Sequence, residues 1–166
     1  FISTFFVNKT NLRTDEYGGS FSNKLRIATE IVEGIRKSVG EDFLIIFRIP
    51  AMDMLEGGMS WDEICTLGQA LENSGVSIVS THFSWHESPV PTIATMVPRA
   101  AFTSVTKRLK SVINVPVITS NRINMPDVAE TVLANGDADL VSMARPFLAD
   151  GRIFEKIKEG RDCLLY

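Results

Sequence analysis

Residues 115–147 read VPVITSNRINMPDVAETVLANGDADLVSMARPF, and the alternation within this stretch decides the fold. VPVITS (115–120) is short, apolar and rich in β-branched residues, as a buried strand requires. MPDVAETVLANG (125–136) has Pro126 near a first helical turn and Gly136 just past the last, the asymmetry expected of helix ends. ADLVSMA (138–144) is strand-like again. Strand, helix and strand joined by short connections predict a right-handed βαβ unit with parallel strands.

Working outward, the same alternation fills most of the chain. NKLRIATEIVEGIRKSVG (23–40) places Leu25, Ala28, Ile31, Val32, Ile35 and Val39 on one helical stripe, and Gly40 stands where that helix should stop. FLIIFRIP (43–50) is a continuous apolar run, predicted as a strand buried on both faces. SWDEICTLGQALENSG (60–75) offers Ser60 and Glu63 as a capping box and Gly75 as a stop. VSIVSTHF (76–83) reads as a strand, FTSVTKRLKSVI (102–113) as a helix, and GRIFEKIKEG (151–160) as the start of a last helix. The first 20 residues, polar and turn-rich, read as a loop. Four strand–helix repeats fit either a small doubly wound α/β sheet or half of a (β/α)8 barrel, and periodicity does not separate the two. A whole barrel needs about 250 residues, so on the second reading roughly half is missing. The chain also opens at Phe1 without a methionine, which leads us to expect a piece of something longer.

Composition narrows the partners. The 17 basic and 20 acidic residues of 166 give a net charge of −3, with the signs interspersed. Nucleic-acid and membrane-surface partners favour a clustered basic face, so neither is expected. No apolar run approaches a membrane span, no signal-peptide pattern opens the chain, and Cys65 and Cys163 match no metal or redox spacing. A cytoplasmic protein without a metal site is the expectation.

In both candidate architectures ligands bind beyond the carboxyl ends of the strands. Arg48 ends the first strand, His82 and His86 follow the second, Asn121 and Arg122 the third, and Arg145 the fourth. Singly, each arginine could tether a loop or pair with a carboxylate. Converging on one mouth, forked guanidiniums suit a phosphate or the edge of an electron-rich heterocycle, and so a phosphorylated cofactor. His82 follows the alternation of its strand and reads as a packed imidazole. His86 lies in the loop, between Trp85 and Glu87, where an imidazole can donate or relay a proton near neutral pH. The loop from about residue 83 to 101 is long for a strand-to-helix connection and holds Trp85 and three prolines, so it reads as a lid or pocket wall.

These residues carry a family resemblance. NKTNLRTDEYGGSFSNKLRIATEIVEGIR resembles the segment after the fourth strand of old yellow enzyme family barrels, which are FMN-dependent oxidoreductases. SNRINMPDVAETVLANGDADLVSMARPFLAD is similar to their seventh and eighth βα units, and WHESPVPTIATMVPRAAF is similar to bacterial 2,4-dienoyl-CoA reductases. The resemblance implies that residues 1–166 are the C-terminal half of an FMN-binding TIM barrel domain, strands five to eight. It implies that Arg48 meets the N1/O2 edge of FMN, that Arg122 lies near the cofactor, and that Ala144 with Arg145 forms the phosphate-binding turn. It also implies that His86, with a tyrosine that would precede Phe1, supplies the proton when a dienoyl-CoA chain is reduced.

The departures are equally specific. The FAD, 4Fe-4S cluster and NADPH of such an intact enzyme have no sites in this chain, and Cys163 does not fall at the expected cluster offset. The expected partners are an acyl-CoA or other conjugated enoyl substrate, and either self-association or pairing with a missing N-terminal half. The alternative is an inactive truncated chain, or a subunit that only completes a partner's barrel without catalysis of its own. A small doubly wound phosphate binder ranks last, because RIPAMDMLEGGMS lacks a GxGxxG-like loop.

Overall fold

The computed structural model describes residues 1–85, 88, 89 and 92–161. A 3-10 turn (Ile2–Phe5) precedes α1 (Phe21–Val39), β1 (Ile46–Met52), α2 (Trp61–Asn73), β2 (Ile78–Phe83) and α3 (Thr103–Lys110). These are followed by β3 (Val117–Thr119), α4 (Pro126–Ala134), β4 (Leu140–Val141), α5 (Arg145–Ala149) and α6 (Ile153–Lys158). The four strands form one parallel sheet in the order β1-β2-β3-β4. A doubly wound sheet reverses its strand order at a switch point and covers both faces with helices. Sequential order with helices on one face is instead a sector of a (β/α)8 barrel.

The helices form where the residues provide ends for them. Ser60 and Glu63 close the expected capping box, with the Ser60 hydroxyl accepting from Glu63 N and the Glu63 carboxylate accepting from Ser60 N at 2.8 Å. Ser20 caps α1 one turn earlier than the apolar stripe suggested, because its hydroxyl accepts from Asn23 N. Gly75 ends α2 at φ 96°, a conformation that a side chain resists. There its carbonyl accepts from both Nε and Nη2 of Arg36, whose Nη1 donates to Phe43 O, so one guanidinium staples the ends of α1 and α2 beneath the sheet.

The core lies between the sheet and the outer helices. Phe47 and Ile49 of β1, Val79 of β2 and Val117 of β3 pack against Leu25, Ala28 and Val32 of α1, Leu67 and Leu71 of α2, and Leu109 of α3. Buried hydroxyls join the layers as well. Thr81 Oγ1 lies 3.1 Å from Thr106 Oγ1, which lies 2.9 Å from Thr119 Oγ1, so α3 is hydrogen-bonded to β2 and β3 within the core.

The opposite face of the sheet is open. Residues 43–50 were expected to be buried on both faces, but Phe43 and Leu44 precede the strand, and Ile46 is 50% exposed. Arg48 is exposed on the same face, in register with Ser80 of β2, which pairs in turn with Ile118 of β3. This is the face that would point into a closed barrel; Ile46 and Arg48 are exposed on it, and burial returns only toward the rim, at Pro50 and its partner His82. Half of the α1 stripe behaves likewise: Leu25, Ala28 and Val32 are buried, whereas Ile31 and Ile35 are not. Among the described residues no helix is long and apolar enough to cross a membrane.

Candidate functional site

All four loops that follow the strands open at one rim, and the backbone there is strained. Among the described residues, the non-glycine residues with positive φ are Met54 after β1, Ser84 and Ala100 after β2, and Asn121 and Arg122 after β3. Left-handed backbone in ordinary residues costs free energy and persists where surrounding contacts over-determine it, commonly at functional sites.

Between the β3 and β4 loops lies a cavity of about 340 Å³. Arg48, Arg122, Ala144 and Arg145 all line it, joined by Ser120, Asn121 and Asn124. The structure thus brings together four of the five residues to which the resemblance gives a role. The fifth, His86, lies outside the described residues, and so does Cys163. Three guanidiniums and no carboxylate line the cavity among the described residues, a donor set that fits an anion.

The arginines also tether, as their single readings allowed. Arg122 Nε donates to Val97 O at 2.9 Å and its Nη2 to Thr95 O at 3.3 Å, fastening the long β2–α3 loop. Arg145 Nη1 reaches Ile93 O at 3.5 Å, a weak contact. Arg145 is also the first residue of α5, a short helix that the sequence reading left as part of the strand's exit. A guanidinium has five N–H donors, so holding a loop and facing a cavity are compatible tasks.

A second, broader hollow of about 1080 Å³ runs over the open face beside β1. It is lined largely by apolar side chains, with Arg48, His82 and Trp85 among them. Arg48 and Ile93 line both spaces, so the two adjoin at Arg48. The long loop is therefore the wall its composition predicted: Thr92 is buried, its hydroxyl donates to Phe83 O, and Asn121 Nδ2 donates to Thr92 Oγ1.

His82 is a residue that sequence reasoning set aside. It sits on the open face one inward position beyond Arg48's partner Ser80, half-buried, with Nδ1 unpartnered among the described residues. Burial, then the neighbouring Arg48 charge, pushes its pKa down to about 4, against a hydrogen bond to the Ile49 backbone that pulls the other way. His82 is therefore neutral near pH 7. Asp53 was missed altogether. It is 3% exposed, and its carboxylate accepts from Met59 N at 2.8 Å and from Trp85 Nε1 at 2.6 Å. A carboxylate directly after a strand was the available signal, but its partner lies 32 residues away. Burial raises the Asp53 pKa, the two donated hydrogen bonds lower it, and the Glu63 charge adds to the rise.

Residues 1–163 match the NADH:flavin oxidoreductase / NADH oxidase family. A metal reductase of Desulforamulus reducens is 38% identical over 159 residues, covering 96% of this chain and 24% of that protein. A 2-naphthoyl-CoA reductase, solved with 2-naphthoyl-CoA, superimposes with TM-score 0.92 at 35% identity, covering 97% of this chain and 25% of its own. The old yellow enzyme homologue of Zymomonas mobilis shares the fold, with TM-score 0.75 at 18% identity over 98% of this chain and 44% of its own. The chain spans about a quarter of the length of the curated relatives it matches. With its one-sided barrel sector and match over nearly all its length, the chain belongs to the NADH:flavin oxidoreductase / NADH oxidase family.

Proposed function

We propose that this chain supplies the FMN-binding C-terminal half of a barrel oxidoreductase that reduces a conjugated double bond in a CoA thioester of the 2,4-dienoyl-CoA class. The observation that carries the reading is the position of Arg48, shared by the cationic cavity and the apolar hollow. A phosphorylated heterocycle needs that combination: a cationic pocket for its phosphate, opening past a further cation into an apolar space for its ring. Bound FMN brings two-electron chemistry to such a site.

The chain's own residues have separate tasks. Arg122 and Arg145 hold the phosphate end, with Ala144 at the turn beside it. Arg48 places its positive charge against the electron-rich edge of the ring, where negative charge accumulates on reduction. His86 holds the proton that the reduced chain must receive. The CoA-thioester preference draws support from the 2-naphthoyl-CoA reductase, whose ligand is also a conjugated acyl thioester. The open barrel face favours a second reading, in which the chain only completes a partner's barrel and turns nothing over alone.

The test is a titration of the purified chain with FMN, followed by flavin fluorescence and visible absorbance. Tight binding with a perturbed flavin spectrum is expected, weakened tenfold or more by Arg48→Leu. Flavin-loaded protein, reduced under anaerobic conditions, should be reoxidised by 2,4-hexadienoyl-CoA and not by the free acid. Flavin binding that ignores Arg48 would sink the cofactor assignment, and equal reoxidation by thioester and acid would sink the substrate class.

A further inference from the structure

The β1 loop grips the start of the β2 loop at three successive points. Met52 O accepts from Ser84 N at 2.7 Å, Asp53 Oδ1 accepts from Trp85 Nε1 at 2.6 Å, and Met54 O accepts from Ser88 Oγ at 3.0 Å. The first joins main chain to main chain, which any sequence supplies, and the third joins the Ser88 hydroxyl to a main-chain carbonyl. The central one joins two side chains, and the surroundings are shaped for it. Asp53 is buried, its other oxygen accepts from Met59 N, and the chain returns over it at Gly58. A Cβ at Gly58 would stand 2.8 Å from Asp53 Cβ and 3.2 Å from Asp53 Oδ2, so only glycine lets the loop close this tightly. Met54 and Ser84, on either side of the contact, both hold left-handed backbone.

A buried carboxylate with both oxygens committed is costly unless its hydrogen bonds are kept. The Trp85 indole cannot leave without stranding one of them. Trp85 meanwhile lines the hollow that also contains Arg48 and His82. We propose that Asp53 is a positioning residue: its carboxylate locks the Trp85 indole in place, and thereby holds it as the wall of the hollow against which a bound flavin would lie. The proposal rests on the flavin-site reading only for its second clause. The lock itself is a property of Asp53 and Trp85.

The test separates the two clauses. In a Trp61→Phe background, Trp85 is the sole indole and its emission reports the lock. Asp53→Leu should shift that emission to the red and raise its quenching by acrylamide several-fold, while far-UV circular dichroism stays unchanged. A merely structural Asp53 would lower the melting temperature and leave Trp85 emission in the folded protein as it was, which would overturn the proposal. Should Asp53→Leu fail to fold, the unsubstituted chain still decides. Its Trp85 Nε1–H should resonate downfield of the Trp61 Nε1–H and exchange with solvent at least tenfold more slowly, and equal exchange would overturn the lock. FMN added to the Trp61→Phe chain should quench Trp85, and Asp53→Leu should lose most of that quenching while flavin fluorescence reports an affinity within about threefold. Undiminished quenching would overturn the second clause. Absence of FMN binding to the parent chain would instead strike the flavin reading, and leave the emission and exchange results to judge the lock.

Discussion

Between pH 7 and pH 5, acidification should weaken this fold through His82. Its pKa falls from 6.5 to about 4 on folding, because burial and the Arg48 charge oppose a second positive charge on the open face. Between those values the unfolded chain binds a proton that the folded chain refuses, so stability rises with pH through that window and falls as pH drops. From pH 7 to pH 5 the linkage relation gives a loss of about 2 kcal/mol attributable to this imidazole. Asp53 works in the opposite direction, since its raised carboxyl pKa lets the folded state hold a proton more readily than the unfolded one. The comparison that isolates His82 is therefore wild type against His82→Asn, which carries no charge at any pH. Urea unfolding at pH 7, 6 and 5 should show the wild-type free energy falling more steeply than that of the variant by that amount. NMR titration of the imidazole Cε1–H should find His82 still neutral at pH 5, and Arg48→Leu should move its midpoint upward. Parallel pH slopes for the two proteins, or a His82 midpoint near 6.5, would refute the argument.

Two further outcomes follow from the packing. Thr106→Val removes the middle hydroxyl of the Thr81–Thr106–Thr119 chain and leaves Thr119 without that partner in the core, so it should cost about 1–2 kcal/mol in urea unfolding despite its nearly unchanged volume; no loss would mean that the hydroxyls bind nothing of consequence. β1 is an edge strand carrying the half-exposed Ile46 beside Phe43 and Leu44, so the chain alone should self-associate in sedimentation velocity, and Ile46→Lys should shift it toward monomer. A wild-type chain that stays monomeric at all concentrations would rule out the edge as a pairing surface.

Local rules made much of the fold legible. Ser60 with Glu63 and Pro126 with Gly136 mark helix ends because capping is decided within a few residues, and the structure ends α2 and α4 there. The choice between a doubly wound sheet and a barrel sector was not legible, since both use the same periodicities and differ only in strand order and in the face the helices cover. The burial of residues 43–50 was misjudged for a related reason. Hydrophobicity records what a residue is suited to pack against, and on the open face of β1 the described chain leaves half of Ile46 uncovered.

The rim shows where local reasoning stops. Arg48, Arg122 and Arg145 could be named in advance because a cation directly after a strand has a known destination in a parallel α/β fold. The backbone that holds them could not be named. Met54, Ser84, Ala100 and Arg122 have no sequence preference for the left-handed region, and each pays about 1–2 kcal/mol to be there. What offsets that cost is a set of contacts between segments distant in sequence: Trp85 with Asp53, Ser88 with Met54, Ala100 N with Arg122 O, and Arg122 with Val97. Each strained residue either makes one of these bonds or adjoins a residue that does. The strain and the tethers are therefore two sides of one arrangement, in which neighbouring strand-end loops are bent toward one another and fastened. A rim built this way depends on its cross-loop bonds more than on the propensity of any residue in it, and so the side-chain tethers, Asp53 first among them, are where substitution should tell most.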